Sequence, residues 1–149
     1  MDSELSIPYY KVPLELSTVF KGQELPTCDM RQSIDNNLNL LIMTRYKEHR
    51  ANAEFGCEIW DRDFELIINK GSWEEKLRIS LLRSVGLYET RLSNVDIIVT
   101  LSKVEKNQPF REIAEVKNKV EIRLSGVIEL TGEKYTFSKT LFLSPLSVE

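Results

Sequence analysis

Ser84-Val85-Gly86-Leu87-Tyr88-Glu89-Thr90-Arg91-Leu92 is the stretch at which a helical pattern gives way to a β pattern. Upstream, Trp73, Leu77, Leu81 and Val85 recur every four residues, with Ile79 and Leu82 widening the stripe, the period of a helix with one buried face. Ser72 is expected to cap this helix, with Glu75 returning the bond as in a capping box. Gly86 stands where a left-handed C-cap is expected, so the helix should end close to Val85, with Leu87 folding back on its last turn. Downstream, Val95, Ile97, Val99 and Leu101 alternate with Asp96, Ile98, Thr100 and Ser102, the period of a strand with one apolar face. Glu89 and Arg91 sit at the junction itself, two residues apart. In extended chain, side chains two apart point the same way, so an acid and a base are presented together. Such a pair either locks the junction internally or meets a partner protein, and the residues alone leave both readings open.

Toward the N-terminus, a first helix is expected from about Met30 to Tyr46, capped by Asp29 with Gln32 three residues later. Ile34, Leu38, Leu41 and Ile42 form its buried stripe, and Asp35, Asn36, Asn37 and Asn39 mark a wet face. Before it, residues 1–28 read as an extended arm, since Pro8, Pro13 and Pro26 break any helix there. The arm is too apolar for a disordered tail, with Ile7, Tyr9, Tyr10, Val12, Leu14, Leu16, Val19 and Phe20. It packs either on its own domain or against a neighbouring subunit. From Lys47 to Gly71 the pattern is weaker, with Ile59, Trp60, Phe64, Leu66, Ile67 and Ile68 supplying apolar mass.

Toward the C-terminus, Lys103 to Lys119 reads as a polar connection, followed by a strand from Val120 to Leu130. Val120, Ile122, Leu124, Ile128 and Leu130 should share a face of that strand. Thr131-Gly132-Glu133-Lys134 turns the chain, and Tyr135 to Leu143 returns with Tyr135, Phe137, Leu141 and Leu143 inward. The expected fold is α+β: two main helices on one face of a small antiparallel sheet, with a C-terminal β-hairpin and the N-terminal arm. Residues 29–149 then make one domain.

Composition narrows the function classes. The 149 residues are 42% hydrophobic and 29% charged, with a net charge of −3. That describes a globular domain without the basic footprint of a nucleic-acid binder. No apolar run approaches the ~20 residues of a membrane span, and the chain reads as cytoplasmic. His49 is the single histidine, which removes triads built on His. It reads as a solvated helix-end residue. Cys28 and Cys57 read as reduced, small hydrophobes. The acids Glu54, Glu58, Asp61, Asp63 and Glu65 lack the spacing of a calcium loop and read as a solvated face, so no metal or cofactor is expected.

With these elements placed, the chain resembles the sheath-initiator family of contractile-tail baseplates, found in phages and type VI secretion systems and historically misnamed "tail lysozyme". Ser33-Ile34 opens the first helix, Thr44-Arg45-Tyr46-Lys47-Glu48 stands at the family's Thr-Arg-Pro-Gly-Glu-like turn, and Glu54-Phe55-Gly56 matches its aromatic-Gly pair. The signature, apolar-Tyr-Glu-Pro-Arg in the family, is Tyr88-Glu89-Thr90-Arg91-Leu92 here. The matches run over roughly residues 30–100. Thr90 replaces the family's Pro and Lys47 its turn Gly, departures that point to a divergent secretion-system branch. Thr90 is β-branched and still favours extended backbone.

The resemblance implies a non-enzymatic scaffold. It would dock on baseplate wedge subunits through Glu89-Thr90-Arg91 and present its sheet to contractile sheath subunits, with no nucleic acid, membrane insertion or small-molecule substrate. Tyr88, Glu89, Thr90, Arg91, Thr44, Glu48, Phe55 and Gly56 are the residues it assigns to partner contact. The competing class is a lysozyme-like hydrolase, which needs a carboxylic acid of raised pKa. Arg91 beside Glu89 pushes the other way. A generic small adaptor is the third reading.

Overall fold

The computed structural model describes residues 9–61, 69–106 and 115–143. Two short strands, β1 (Tyr9–Tyr10) and β2 (Thr27–Cys28), pair antiparallel and flank the helix α1 (Leu16–Phe20). Helices α2 (Met30–Met43) and α3 (Lys70–Tyr88) follow, with a 3₁₀ turn at Glu58–Asp61 between them. Strands β3 (Leu92–Lys106), β4 (Glu115–Ile128) and β5 (Lys134–Leu143) form an antiparallel sheet in sequence order. The fold is α+β with a C-terminal hairpin, as the patterns indicate. The N-terminal arm is not extended throughout, since it holds α1 between its two strands.

The core lies between the two long helices and one face of the sheet. From α2 it takes Ile34, Leu38, Leu41 and Ile42, the expected stripe, and from α3 Trp73, Leu77, Leu81 and Val85. The sheet contributes Ile97, Val99, Leu101, Val120, Ile122, Leu124, Tyr135, Phe137, Leu141 and Leu143. Each fully buried aliphatic side chain contributes about 1.5–3 kcal/mol, so this layer is the main source of stability. The opposite face of the sheet exposes Ile98 and Phe142.

Local physics moves several boundaries. Asp29 caps α2 as expected, its Oδ1 accepting from the Gln32 N–H at 2.7 Å. The helix stops at Met43 rather than Tyr46, because Thr44 turns extended and its carbonyl accepts the Cys57 N–H at 2.8 Å. Asn69, not Ser72, caps α3: its Oδ1 accepts from the Ser72 N–H at 3.1 Å. Glu75 bonds Arg78 instead of returning to the cap. At the far end α3 runs through Gly86 to Tyr88. No glycine cap is needed there, because Asn37 of α2 donates to the Tyr88 carbonyl at 2.9 Å, satisfying a group the helix end leaves free. Ile79 and Leu87 are exposed rather than packed. The residues expected as a polar connection extend β3 to Lys106 and begin β4 at Glu115. Leu130 lies beyond β4 and is exposed.

One feature of β3 escapes period-two reading. Ser93 faces Val127 and Asp96 faces Ser125, so β3 carries one extra residue, a bulge with Asn94 at φ 50°. The bulge lets Leu92 and Ile97, an odd number apart, both face the core. Gly126 sits opposite, where a Cβ would lie 3.1 Å from the Ser93 carbonyl oxygen.

Candidate functional site

The junction between α3 and β3 is built as a closed ionic lock. Glu89 follows the last residue of α3, and its side chain is 1% exposed. Arg91 returns to it in a bidentate pair, Nε to Oε1 and Nη2 to Oε2, each at 2.8 Å. The Arg91 backbone N–H also donates to Oε1, at 3.2 Å. Two parallel charge-assisted bonds fix orientation as well as energy. Helix α2 completes the lock: Asn37 Nδ2 donates to Glu89 Oε2 at 2.8 Å, and Arg91 Nη1 donates to Ser33 Oγ at 2.9 Å. The arm adds one more contact, with the Tyr9 ring 5.2 Å from the Arg91 guanidinium carbon, and leaves the Arg91 side chain 26% exposed.

The electrostatics follow from this geometry. Burial alone would push the Glu89 carboxyl up, but bonds from Arg91 and Asn37 and the Arg91 charge outweigh it and hold the carboxyl below its usual range. The hydrogen bond to Glu89 raises Arg91 above its ordinary value, against a smaller effect of burial. A carboxyl held ionised is the opposite of a general acid.

The remaining assigned residues form a second cluster beside the lock. Phe55 packs edge-on against Tyr88, with ring centroids 5.1 Å apart, and the His49 ring lies tilted against Phe55 at 5.5 Å. The Tyr88 hydroxyl pairs with the Asn52 amide. His49 is therefore a loop residue, its Nδ1 accepting the Asn52 N–H at 3.1 Å, not a helix-end one. Gly56 adopts φ 144°, and a Cβ there would stand 2.7 Å from the Thr44 carbonyl oxygen, so only glycine fits. Thr44 Oγ1 closes on the Leu40 carbonyl, and Glu48 Oε2 accepts the Arg45 N–H at 2.8 Å, stabilising its own turn. Lys47 occupies the left-handed region at φ 67°, where a glycine would sit without cost. Phe55 and Gly56 are thus brought to Tyr88 and Thr44, while Glu48 makes no described contact with the lock. Thr90 is exposed between its two charged neighbours.

Three residues of the site carry no sequence signal for it, Asn37, Asn52 and Tyr9, and Ser33 is legible only as the opening of the first helix. Asn37 lies on the face that the sequence marks as wet, yet it bonds Glu89, and Asp35 on the same face accepts a bond from the buried Tyr135 hydroxyl. Burial first, then that bond, pushes the Tyr135 phenol up. Along α3, a groove of about 700 Å³ runs past Tyr46, Lys76, Ile79, Arg83, Leu87 and Tyr88. Among the described residues, no cluster of three or more His, Cys, Asp or Glu is placed to hold a metal ion. Of the acidic run, Asp63 and Glu65 lie outside the described residues, as do Phe64, Leu66, Ile67 and Ile68. No described helix is long and apolar enough to cross a membrane.

Residues 28–133 match the family described as Baseplate wedge protein gp25. The chain belongs to that family. The match spans α2, the Phe55-Gly56 loop, α3, the ionic lock and most of the sheet. Among solved structures, the chain is similar to a Geobacter sulfurreducens protein described as a tail lysozyme, at 17% identity and a TM-score of 0.57. That similarity covers 83% of this chain and 100% of the other, and it speaks to the fold alone. No functionally curated protein matches. Membership gives this chain a structural role in a phage or secretion-system baseplate, assembled with other baseplate proteins.

Proposed function

We propose that this baseplate protein is a non-enzymatic subunit of a type VI secretion-like contractile machine, working in the cytoplasm. It docks on wedge subunits around Tyr88-Glu89-Thr90-Arg91 and offers its sheet to the first contractile sheath subunits. The observation that carries the reading is the ionic lock itself. Glu89 is consumed by four hydrogen bonds and kept ionised, which suits a rigid, charged corner and removes the one candidate general acid beside Arg91. A pair closed within one chain fixes the shape of the corner that carries the exposed Thr90, which is what a partner would meet. The groove along α3, lined by Lys76, Ile79, Arg83 and Leu87, reaches Tyr88 at the lock. Among the described residues β3 and β5 each keep one edge unpaired to another strand, which supports strand addition by a sheath segment.

The test is co-expression with the wedge subunits of the same machine, comparing wild type with Thr90→Asp. Thr90 is exposed, so the variant should fold normally and yet be lost from the complex on size-exclusion chromatography. Equal incorporation of both proteins would remove Glu89-Thr90-Arg91 from the interface. Peptidoglycan turnover by the purified chain, abolished by Glu48→Gln or Glu89→Gln, would instead restore the hydrolase reading.

A further inference from the structure

We propose that residues 9–26 form a latch over Arg91, which a docking partner lifts by peeling β1 from β2; the proposal rests on the docking reading above. Arg91 spends its nitrogens on Glu89 and Ser33, so the accessible part of the guanidinium is its flat face, and the Tyr9 ring lies over it. A partner that takes the Tyr9 side of the guanidinium has to displace the ring.

The latch is lightly held. Strands β1 and β2 are two residues each, and two-stranded ribbons of that size are marginal on their own. Helix α1 is five residues long and buries none of them. Tyr9 meets Arg91 in a half-buried cation–π contact, joined by a side-chain hydrogen bond between the two, so this is the main tie of the latch to the lock. Against this, the arm turns Val12, Leu14, Leu16 and Val19 outward, and Phe20 is 89% exposed. Side chains of that kind hold little in the closed state. They supply the differential contact that lets a partner favour the lifted one, without which no population shift occurs.

The ladder offers a way to lock the latch without touching Tyr9. Tyr10 and Thr27 are directly opposed across β1 and β2, and both are exposed. A Tyr10→Cys/Thr27→Cys chain in a Cys28→Ser background should close a cross-strand disulfide at a spacing such bonds accept. Binding of the full-length chain to its cognate wedge subunits is then measured by titration in oxidised and reduced forms, beside wild type and Tyr9→Ala. The oxidised form should bind at least about tenfold more weakly than its own reduced form, and reduction should restore wild-type affinity. Tyr9→Ala should bind at least about twofold more tightly, the lower bound for a partly exposed cation–π contact. Equal binding of oxidised and reduced forms, or weaker binding by Tyr9→Ala, would overturn the latch while leaving docking intact. Wild type that binds no wedge subunit would take the docking reading down, and the latch with it.

Discussion

Replacing Arg91 by alanine tests the lock where it is most exposed to failure. Glu89 accepts four hydrogen bonds, and Arg91→Ala removes the two from the guanidinium, leaving Asn37 and a backbone N–H to hold a side chain that is 1% exposed. Breaking a buried pair by deleting one partner costs about 3–5 kcal/mol. The Arg91 side chain is 26% exposed, so water replaces part of what is lost, and the expected cost is about 2–4 kcal/mol. That is a large share of a typical domain's total of about 5–15 kcal/mol. Urea titration at neutral pH should show a lower midpoint with an unchanged slope. The pH dependence carries the sharper signature. In wild type the folded carboxyl lies below its unfolded value, so its contribution is complete above about pH 4.3 and fades as pH falls through the folded value. Without Arg91, burial dominates and the folded carboxyl rises above the unfolded value. The variant then loses stability as pH rises, and the gap to wild type is widest near neutrality and narrows in acid. A gap below about 1 kcal/mol at pH 7, or one that does not narrow in acid, would show that Glu89 is solvated and the lock illusory.

The caps, glycines and turns give further tests. Asn69→Ala should cost about 1 kcal/mol in thermal or urea unfolding and Ser72→Ala nearly nothing, the reverse of what a Ser72 capping box requires. Gly56→Ala should cost well over 1 kcal/mol and loosen the packing of Phe55 on Tyr88, visible as increased near-ultraviolet signal averaging, because its Cβ meets the Thr44 carbonyl at 2.7 Å. Lys47→Gly should stabilise the chain by up to about 1 kcal/mol, since Lys47 holds φ 67°. A loss of stability there would mean that the Lys47 side chain contributes more than its backbone costs.

Much of this architecture is written in local periods. The stripes of α2 and α3 and the inward residues of β3, β4 and β5 follow from hydrophobic spacing, because burial against a single layer imposes that spacing. What periodicity misses depends on contacts between elements. Gly86 reads as a cap until Asn37, distant in sequence, is seen to satisfy the Tyr88 carbonyl. Ser72 reads as a cap until Asn69 takes its N–H. The bulge at Asn94 is invisible because a one-residue insertion cancels the alternation that would reveal it. The pairing of Glu89 with Arg91 was legible from their separation, but not that Asn37, Ser33 and Tyr9 would close around them. Polar residues on a helix read as a wet face, and nothing local says which of them another element will reach.

The most direct test of the docking claim is a photo-crosslinking side chain placed at position 90 in cells that assemble the machine, with the exposed Ile98 position, on the sheet face away from the core, as control. The account predicts a covalent adduct between position 90 and a baseplate wedge subunit, absent from position 98. Wedge adducts from position 98 alone, or from neither position in assembled baseplates, would contradict it.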